Sequence, residues 1–333
     1  MFQIITAWNF VRLKNDLKKD VNAITLRGYN PSTFLTGEFS RKIYNHEIRS
    51  LSVSDIADFL CPNRRDLYLK KGKNINKVRR KKTWGGVAGR IVEKFIFDSF
   101  NEFKSYKASS SWLYSKVIKD VNYMSKNFGN ENSSSFSELD KLKSRGDEDP
   151  NWLLKLLTYN GRAELGLRLL HKMMSKGKKN EMDVMDLEIT QDELNPKPWQ
   201  IGISRGVKPD FISKKYKVVG DIKTGIGGFK DYYLLTCAGY ALAYENEMGK
   251  DGNINFGIIY FFPTRYSEHA KPISFGQVYI FPIDDALRNW FINIRNDAYR
   301  IISKELPPSF PDDKSHCSYC QFFDVCKSQG LRL

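Results

Sequence analysis

Three cysteines crowd one short run near the end of the chain: Cys317, Cys320 and Cys326, spaced Cys-x₂-Cys-x₅-Cys. A fourth, Cys61, lies far upstream in the run Phe-Leu-Cys-Pro. Three thiols in one short loop are the minimum for a metal or cluster site, and a distant fourth completes a four-cysteine set. We therefore expect these four residues to share a site that ties the two ends of a domain together.

The compartment expected for this chain supports that interpretation. The N-terminal residues show no basic region followed by an apolar core, and no stretch approaches the roughly 18 apolar residues of a membrane span. We expect a cytoplasmic protein without membrane contact, in which thiols stay reduced. The cysteines are then ligands or buried thiols. Cys237, on the apolar side of a predicted helix, is expected to be a buried small hydrophobe.

The charge balance indicates a polyanionic partner. The formal net charge is +15, and the segment 70–82 contains eight basic residues and no acid. A polyanion such as DNA favours such a surface because each neutralised phosphate releases condensed counterions. The plainer interpretation of the basic segment is a solvated surface loop. The motifs described below favour nucleic acid.

The spacing of apolar residues predicts helices first and strands later. Before residue 182 we expect helices over 52–60 (with Ser54 as N-cap), 85–105 and 152–174, and a mobile loop or insertion over 129–150. After it we expect strands over 182–190, 207–213, 216–223, 254–262 and 277–281, a turn at Lys214-Lys215, and helices over 228–248 and 284–304. This pattern predicts an α/β protein.

Two carboxylates and a lysine fall on the predicted strands. Asp210 follows Lys-Pro, and Asp221 and Lys223 lie two apart in Val-Val-Gly-Asp-Ile-Lys. Side chains two apart on a strand share one face, and a hairpin partner can bring Asp210 to the same place. Two carboxylates can hold Mg²⁺ or Mn²⁺. An Asp-x-Lys sequence alone is common and is mostly a surface ion pair. Here the apolar strand around it and the presence of Asp210 favour a metal site.

A third carboxylate, Glu93, lies on the helix predicted over 85–105. A helical carboxylate that points at the strand ends could complete the shell of a divalent metal. An exposed glutamate on an amphipathic helix is an equally good interpretation of the sequence.

The order of these motifs resembles the PD-(D/E)xK nuclease superfamily: a helix glutamate, Pro-Asp, Asp-x-Lys, then a helix with Tyr-Ala-Leu. Together with the four cysteines it is similar to the RecB-like branch that carries an iron–sulfur domain. The closest similarity is to the CRISPR-associated nucleases of spacer acquisition, in particular the longer archaeal type I-A variant. The resemblance covers roughly residues 50 to 330; residues 1–50 lie outside it.

The resemblance implies a role for each motif residue. Asp210 and Asp221, with Glu93, would bind the divalent metal, Lys223 would be the catalytic lysine, and Tyr240 matches the tyrosine of the last motif. Cys61, Cys317, Cys320 and Cys326 would ligate a [4Fe–4S] cluster. By chemistry alone four thiolates could equally hold Zn²⁺.

Two positions depart from the family pattern. A histidine usually stands where this chain has Glu93, and a carboxylate can replace it toward a hard cation. A glutamine usually stands where this chain has Thr236, which bears on substrate positioning.

The implied fold is a restriction-endonuclease-like core, a mixed central sheet flanked by helices. We expect four parts: a helical N-terminal region 1–105 with Cys61, the basic loop and the Glu93 helix; a helical insertion 106–180 with the mobile loop 129–150; the nuclease core 181–304; and a C-terminal cluster region 305–333.

The resulting hypothesis is a metal-dependent deoxyribonuclease, an exonuclease on single-stranded DNA ends or overhangs that processes DNA for CRISPR spacer acquisition alongside integrase proteins. The rival hypothesis is a non-catalytic DNA-binding iron–sulfur subunit of the acquisition complex, which Thr236 and Glu93 favour. A zinc-stabilised RNA-binding module is a third class, and the absence of iron and labile sulfide would support it.

Overall fold

A mixed five-stranded sheet, with the strands in sequential order, forms the centre of the described part of the chain. The computed structural model describes residues 24–75, 83–105, 119, 123, 126–158, 188–189, 193–214, 216–225, 229–249, 252–265, 277–317 and 320–332. The strands are β1 Glu188–Ile189, β2 Phe211–Ser213, β3 Val218–Gly225, β4 Phe256–Pro263 and β5 Gln277–Pro282. The principal helices are α1 Glu38–Tyr44, α2 Val53–Ala57, α3 Trp84–Ser105, α4 Ser133–Leu142, α5 Tyr233–Met248, α6 Asp285–Ile302 and α7 Phe323–Ser328. Short helical turns occupy Pro31–Thr33, Arg65–Leu67, Tyr68–Gly72 and Pro198–Ile201.

The strand pairing follows from the connections. β2 and β3 form an antiparallel hairpin, whereas β3 and β4 run parallel and are joined by α5. A parallel pair needs such a crossover, usually a helix. β4 is buried along almost its whole length because it has a neighbour on each edge and helices on both faces. The mixed α/β architecture expected from the sequence is therefore present.

Alternate residues of β3 face different helices. Val219 belongs to one core cluster with Leu235 and Ala238 of α5. Val218 belongs to another with Val87 and Ile91 of α3. Because side chains alternate along a strand, Asp221 and Lys223 lie on the α5 face and Ile222 on the α3 face.

The helix α5 approaches its neighbours closely at a small residue. A Cβ atom on Gly239 would lie 2.7 Å from the ring of Phe291 on α6 and 2.8 Å from Val53 on α2. Any larger residue would push these helices apart. Cys237, two residues earlier, is fully buried and lies between β3 and β4, as expected for a small hydrophobe.

Residues near the N-terminus belong to the same core, which the sequence did not predict. Arg288 on α6 is fully buried, pairs with the carboxylate of Glu245 at 2.6 Å, and donates to the Leu26 carbonyl at 3.2 Å. Arg295, also fully buried, donates to the carbonyls of Thr33 and Ile201 at 2.6 and 2.9 Å. Two buried cations thus fasten residues 24–35 to α6.

Several boundaries differ from the prediction. The N-cap of α2 is Ser52 rather than Ser54, because Ser52 and Asp55 form a reciprocal capping box. Of the strand predicted over 207–213, only Phe211–Ser213 is a strand. Val207 instead forms an isolated bridge with Leu194. The predicted two-residue turn is also wrong: β3 begins only at Val218, so the connection is longer, and it includes Lys217 in the left-handed region.

The segment 129–150 is not simply a loop. It contains α4, in which Phe136 and Leu139 are buried beside α3 and Leu142 packs at the edge of that cluster. These three apolar residues are three apart, which is helical spacing. The serines and charges between them concealed the pattern. Residues 150–158 continue in a further helix, and the remainder of the helix predicted over 152–174 lies outside the described residues.

In the described part of the chain, none of the helices combines the length and the apolar character needed to cross a bilayer.

Candidate active site and cysteine site

Asp221 and Lys223 form the centre of the candidate active site. They lie two residues apart on β3, both on the face covered by α5, and Lys223 Nζ lies 2.5 Å from Asp221 Oδ2. Asp221 is only 4% exposed. Tyr240 on α5 donates its hydroxyl to Asp221 Oδ1 at 3.3 Å. The strand, the lysine and the tyrosine together fix the orientation of one buried carboxylate.

Asp210 joins this carboxylate through the hairpin. Phe211 pairs with Gly220, which places Asp210 beside the Asp221 end of β3. Asp210 Oδ2 accepts a hydrogen bond from the backbone N–H of Ile222 at 2.7 Å. Burial, followed by the negative charge of Asp221, raises the pKa of Asp210 to about 8. The two carboxylates are therefore close enough to repel each other.

Glu93 lies on the exposed surface of α3 and is within electrostatic reach of this pair. Partial burial raises the pKa of Glu93; the charge of Asp221 adds to the effect and Lys223 opposes it. Asp210 is likewise influenced by Glu93. The structure thus places the helix glutamate in the same electrostatic cluster as the strand residues.

The lysine and tyrosine respond to the same negative charge. Burial alone would lower the pKa of Lys223, but the charge and hydrogen bond of Asp221 outweigh it and raise the pKa. Lys223 is therefore held as a cation. Burial, followed by the charge of Asp221, raises the pKa of Tyr240 well above its usual range, so its hydroxyl stays a donor.

The donor set fits a hard divalent cation. Asp221 Oδ2 is buried without a hydrogen bond of regular geometry, and its charge is met by the Lys223 ammonium. Carboxylate oxygens that repel each other are stabilised by a cation between them, and oxygen is the donor that Mg²⁺ and Mn²⁺ prefer. As placed, however, no three His, Cys, Asp or Glu side chains in the described residues form a ready ligand set.

The four cysteines of the motif line one cavity, although among the described residues no three of them are placed as a ready metal-ligand set. Cys61, Cys317, Cys320 and Cys326 all line it. Burial is the main cause that raises the pKa of the three C-terminal thiols, to about 11 for Cys320, and the charge of Cys61 contributes to each. The structure therefore brings the distant cysteine to the trio.

Arginine side chains next to Cys61 hold the C-terminal tail. Arg65 lies over the ring of Phe310 at 4.2 Å, donates to Gln329 Oε1 at 2.7 Å, and bonds the Pro308 carbonyl. It also hydrogen-bonds Cys326, which opposes the effect of burial on that thiol. Each of these partners lies in the last part of the chain. Arg65 thus fastens the tail against the Cys61 segment.

Arg64, adjacent to it, adopts a left-handed backbone with φ of 57°. Its guanidinium lies 4.8 Å from the centre of the Phe59 ring and donates to the Ile56 carbonyl at 2.9 Å. These arginines were not singled out from the sequence, although their position directly after Cys61-Pro-Asn was the signal available.

The structure also places Thr236 and part of the basic segment, two further features singled out from the sequence. Thr236 is buried on α5, at 6% exposure. The cysteine cavity is also lined by Asp66 and His316. In the basic segment, Lys70 and Lys71 pair with the buried Asp55, whereas residues 76–82 lie outside the described residues. Part of the basic charge is therefore used within the fold.

The family model described as "CRISPR-associated exonuclease Csa1" matches residues 190–329. The matched range includes Asp210, Asp221 and Lys223 and the cysteine trio, but neither Glu93 nor Cys61. The similarity to a CRISPR-associated nuclease, predicted from the motifs, is confirmed for this C-terminal part.

A curated relative from Saccharolobus solfataricus, "CRISPR-associated exonuclease Csa1", is 29% identical over 120 residues. The match covers 36% of this chain and 38% of the relative, so the chain spans well under half of that protein's length. A solved structure, "Crystal structure of SSO0001", covers 71% of this chain and 96% of its own at 15% identity. Its TM-score of 0.25 is too low for any argument from fold.

Proposed function

We propose that this chain is a metal-dependent deoxyribonuclease with a restriction-endonuclease-like core of the PD-(D/E)xK type. One observation carries the proposal: the β2–β3 hairpin brings Asp210 beside the buried pair of Asp221 and Lys223. Two carboxylates and a lysine are residue types that support phosphodiester hydrolysis with a divalent cation. The similarity of residues 190–329 to an exonuclease family supports the same activity.

Each residue of the cluster has a defined task in this proposal. Asp210, Asp221 and Glu93 hold Mg²⁺ or Mn²⁺, which when bound supplies a polarised phosphate and a water of lowered pKa. Lys223, held as a cation, stabilises negative charge on the phosphate and orients the attacking water. Tyr240 fixes the Asp221 carboxylate by its hydrogen bond.

The substrate we propose is DNA with single-stranded ends or overhangs, processed for CRISPR spacer acquisition together with integrase proteins in the cytoplasm. The net charge of +15 supports a polyanionic substrate. The name of the similar family supports the CRISPR setting.

The four-cysteine site has a structural task in this proposal. A [4Fe–4S] cluster held by Cys61, Cys317, Cys320 and Cys326 would join the segment after α2 to the C-terminal tail. Thiols with raised pKa values become thiolates only when a cation compensates their charge, so the donor set suits iron–sulfur or zinc. The resemblance described above favours iron–sulfur.

The test is cleavage of end-labelled single-stranded DNA with Mn²⁺ by anaerobically purified protein. We expect the wild type to shorten the DNA, the Asp221→Asn variant to be inactive, and the Asp98→Asn variant to match the wild type. Asp98 is a matched control because it pairs with Lys94 on the surface of α3. Folding of each variant is checked by circular dichroism.

The opposite result is equally informative. Wild-type protein that is folded, binds the DNA and leaves every substrate intact with Mg²⁺ and Mn²⁺ would contradict the nuclease. It would favour the non-catalytic DNA-binding subunit, with the carboxylate cluster as a remnant site.

A further inference from the structure

Five aromatic side chains form a continuous row beside the candidate active site. Neighbouring ring centres are separated by 6.0, 4.9, 5.8 and 4.0 Å along the row. In order, its members are Phe59, Tyr232, Tyr233, Phe229 and Tyr279. We call these residues the aromatic row.

The row shares a sheet face with the carboxylate cluster. Asp221 pairs with Ile259 on β4, and Ile259 pairs with Tyr279 on β5, so Asp221 and Tyr279 lie in one register row. Residues in direct register on neighbouring strands project to the same face, and two strand spacings amount to about 10 Å. Tyr279 therefore lies within reach of a nucleotide adjoining one held at Asp221.

The middle of the row approaches β3 itself. A Cβ atom on Gly225 would lie 3.5 Å from the hydroxyl of Tyr233, and Gly225 follows Lys223 by two residues on the same face. Tyr233 also stacks over Phe261, the β4 neighbour of Lys223, at 6.1 Å between ring centres. The rings thus continue from the catalytic strand toward Phe59, two residues before Cys61.

The five rings of the aromatic row are less buried than aromatic side chains of the core. Phe211 and Phe291 are fully buried, whereas all five members of the aromatic row are only partly buried at the edge of the core. A row of partly exposed rings is a surface on which unpaired bases can stack, and such stacking does not depend on sequence.

The charged residues near the row favour contact with the bases of a DNA strand rather than with its phosphates. Lys230 and Asp231, between Phe229 and Tyr232, are both exposed and cancel each other. The Arg64 guanidinium lies 4.8 Å from the centre of the Phe59 ring, but it is buried and donates to the Ile56 carbonyl. Among the described residues, the exposed side of the row therefore supplies mainly apolar and π contact. Binding there should depend little on salt, unlike phosphate contacts.

We propose that the aromatic row is a base-stacking site for the unpaired end of a DNA strand, which positions successive nucleotides beside Asp221 and Lys223. This inference rests on the proposed nuclease function and specifies its substrate: a strand whose bases are unpaired. A duplex cannot use the row, because its bases are already stacked in pairs.

The test measures DNA binding separately from cleavage. The Asp221→Asn variant serves as background, and fluorescence anisotropy records its affinity for a single-stranded oligonucleotide. We expect Tyr233→Ala and Tyr279→Ala each to weaken binding roughly tenfold, in line with loss of one stacked base. Tyr233→Phe and Tyr279→Phe should bind as the background does. Tyr44→Ala is the matched control, since Tyr44 is 65% exposed and contacts Trp199 instead.

An oligonucleotide with abasic sites near its end completes the test. If bases stack on the row, abasic DNA binds more weakly to the background protein, and the alanine variants add no further loss. The loss should also be the same at low and high salt. Blunt duplex should bind all of these proteins equally.

Two results would overturn the inference. Alanine variants that bind single strands as tightly as the background would show that the rings only cover the core. An equal loss for intact and abasic DNA would show a structural effect. Either result leaves the nuclease proposal intact as long as wild-type protein cleaves DNA. Ring-dependent binding without any cleavage would contradict the nuclease alone.

Discussion

The carboxylate site and the cysteine site are assembled by different means. Asp210, Asp221 and Lys223 lie within one hairpin, and strand register alone brings them together. Cys61 and the C-terminal trio come from the two ends of the chain and meet at the edge of the core. There Arg65 lies over the Phe310 ring and donates to Gln329, Asn63 donates to the Phe310 carbonyl, and a small buried cluster of Tyr68, Leu69 and Phe322 packs beside the cysteines.

This difference indicates what each site contributes. The carboxylate site is rigid before any cation binds, since β3 has partners on both edges and α5 above it. Changes there should affect chemistry more than folding. The cysteine site joins segments that share a small apolar cluster of their own, so changes there should affect the attachment of the tail more than chemistry.

The largest expected effect is on catalysis at Lys223. Lys223→Met removes the ammonium that pairs with Asp221, and we expect the cleavage rate to fall at least about 100-fold. Affinity for DNA should change little. Thermal stability should fall, because the variant leaves the buried Asp221 carboxylate without its partner, so the rates are compared at a temperature at which both proteins are folded. Lys94→Met is the control, because Lys94 pairs with Asp98 on the exposed side of α3. Cleavage at the wild-type rate by the Lys223 variant would remove the lysine from the proposed mechanism.

The next effect concerns the cysteine site. Cys320→Ser should lose most of the iron and make the tail after residue 305 sensitive to limited proteolysis, because one ligand of the proposed cluster is missing. Cys237→Ala is the matched control: Cys237 is fully buried between β3 and β4 and lies away from the cavity. Iron and sulfide assays with mass spectrometry of the fragments give the readout. Equal iron loss in both variants would contradict the assignment.

Replacing one buried arginine in the core and one at the cysteine site compares how much each region contributes to stability. Arg288→Ala leaves Glu245 as an unpaired buried charge, and we expect the free energy of unfolding of the whole core to fall by about 3–5 kcal/mol. Arg65→Ala should cost about 1–3 kcal/mol and act mainly on the tail. Hydrogen exchange followed by mass spectrometry distinguishes the two, because a global loss exposes β4 and a local loss exposes only residues near 305–332. Exposure of β4 in the Arg65 variant would show that the tail is part of the core.

The same contrast explains how much the sequence could predict. Hairpin partners are close in the chain. The two-residue alternation of side chains along a strand and the short connection between the two strands were therefore enough to predict the cluster of Asp210, Asp221 and Lys223. The contact of Tyr240 with Asp221 followed only from the family motif, since it depends on how α5 lies on the sheet. The gathering of the cysteines was predicted from their type and not from any local pattern.

Other features could not be predicted because they depend on tertiary packing alone. Arg288 and Arg295 look like surface charges of an amphipathic helix, yet the N-terminal segment covers them and supplies carbonyl acceptors. The prediction of a loop over 129–150 was wrong for α4 because polar residues dominate its composition, while Phe136 and Leu139, with Leu142 at the edge, pack it against α3. The aromatic row required strand register to be recognised.

The last prediction concerns the pH dependence of the carboxylate site. The pKa of Asp210 is raised from 3.8 to about 8 by burial and by Asp221, so the folded protein binds this proton more tightly than the unfolded chain does. Below about pH 4 Asp210 is protonated in both the folded and the unfolded state, so it does not lower the free energy of unfolding. As the pH rises toward 8 the folded state of the metal-free protein loses stability, and above about 8 the loss is complete.

Asp210→Asn should therefore flatten the pH dependence between about 4 and 8, because the amide oxygen keeps the hydrogen bond from Ile222 without a titrating proton. Urea unfolding in the presence of a chelator, at several pH values, measures the difference between wild type and variant. Asp98→Asn should preserve the wild-type slope. Added Mn²⁺ should restore stability to the wild type at pH 8 and have less effect on the Asp210 variant, since a cation compensates the same repulsion that the proton does. Parallel curves for wild type and Asp210→Asn would show that Asp210 does not carry the buried charge on which the carboxylate site depends.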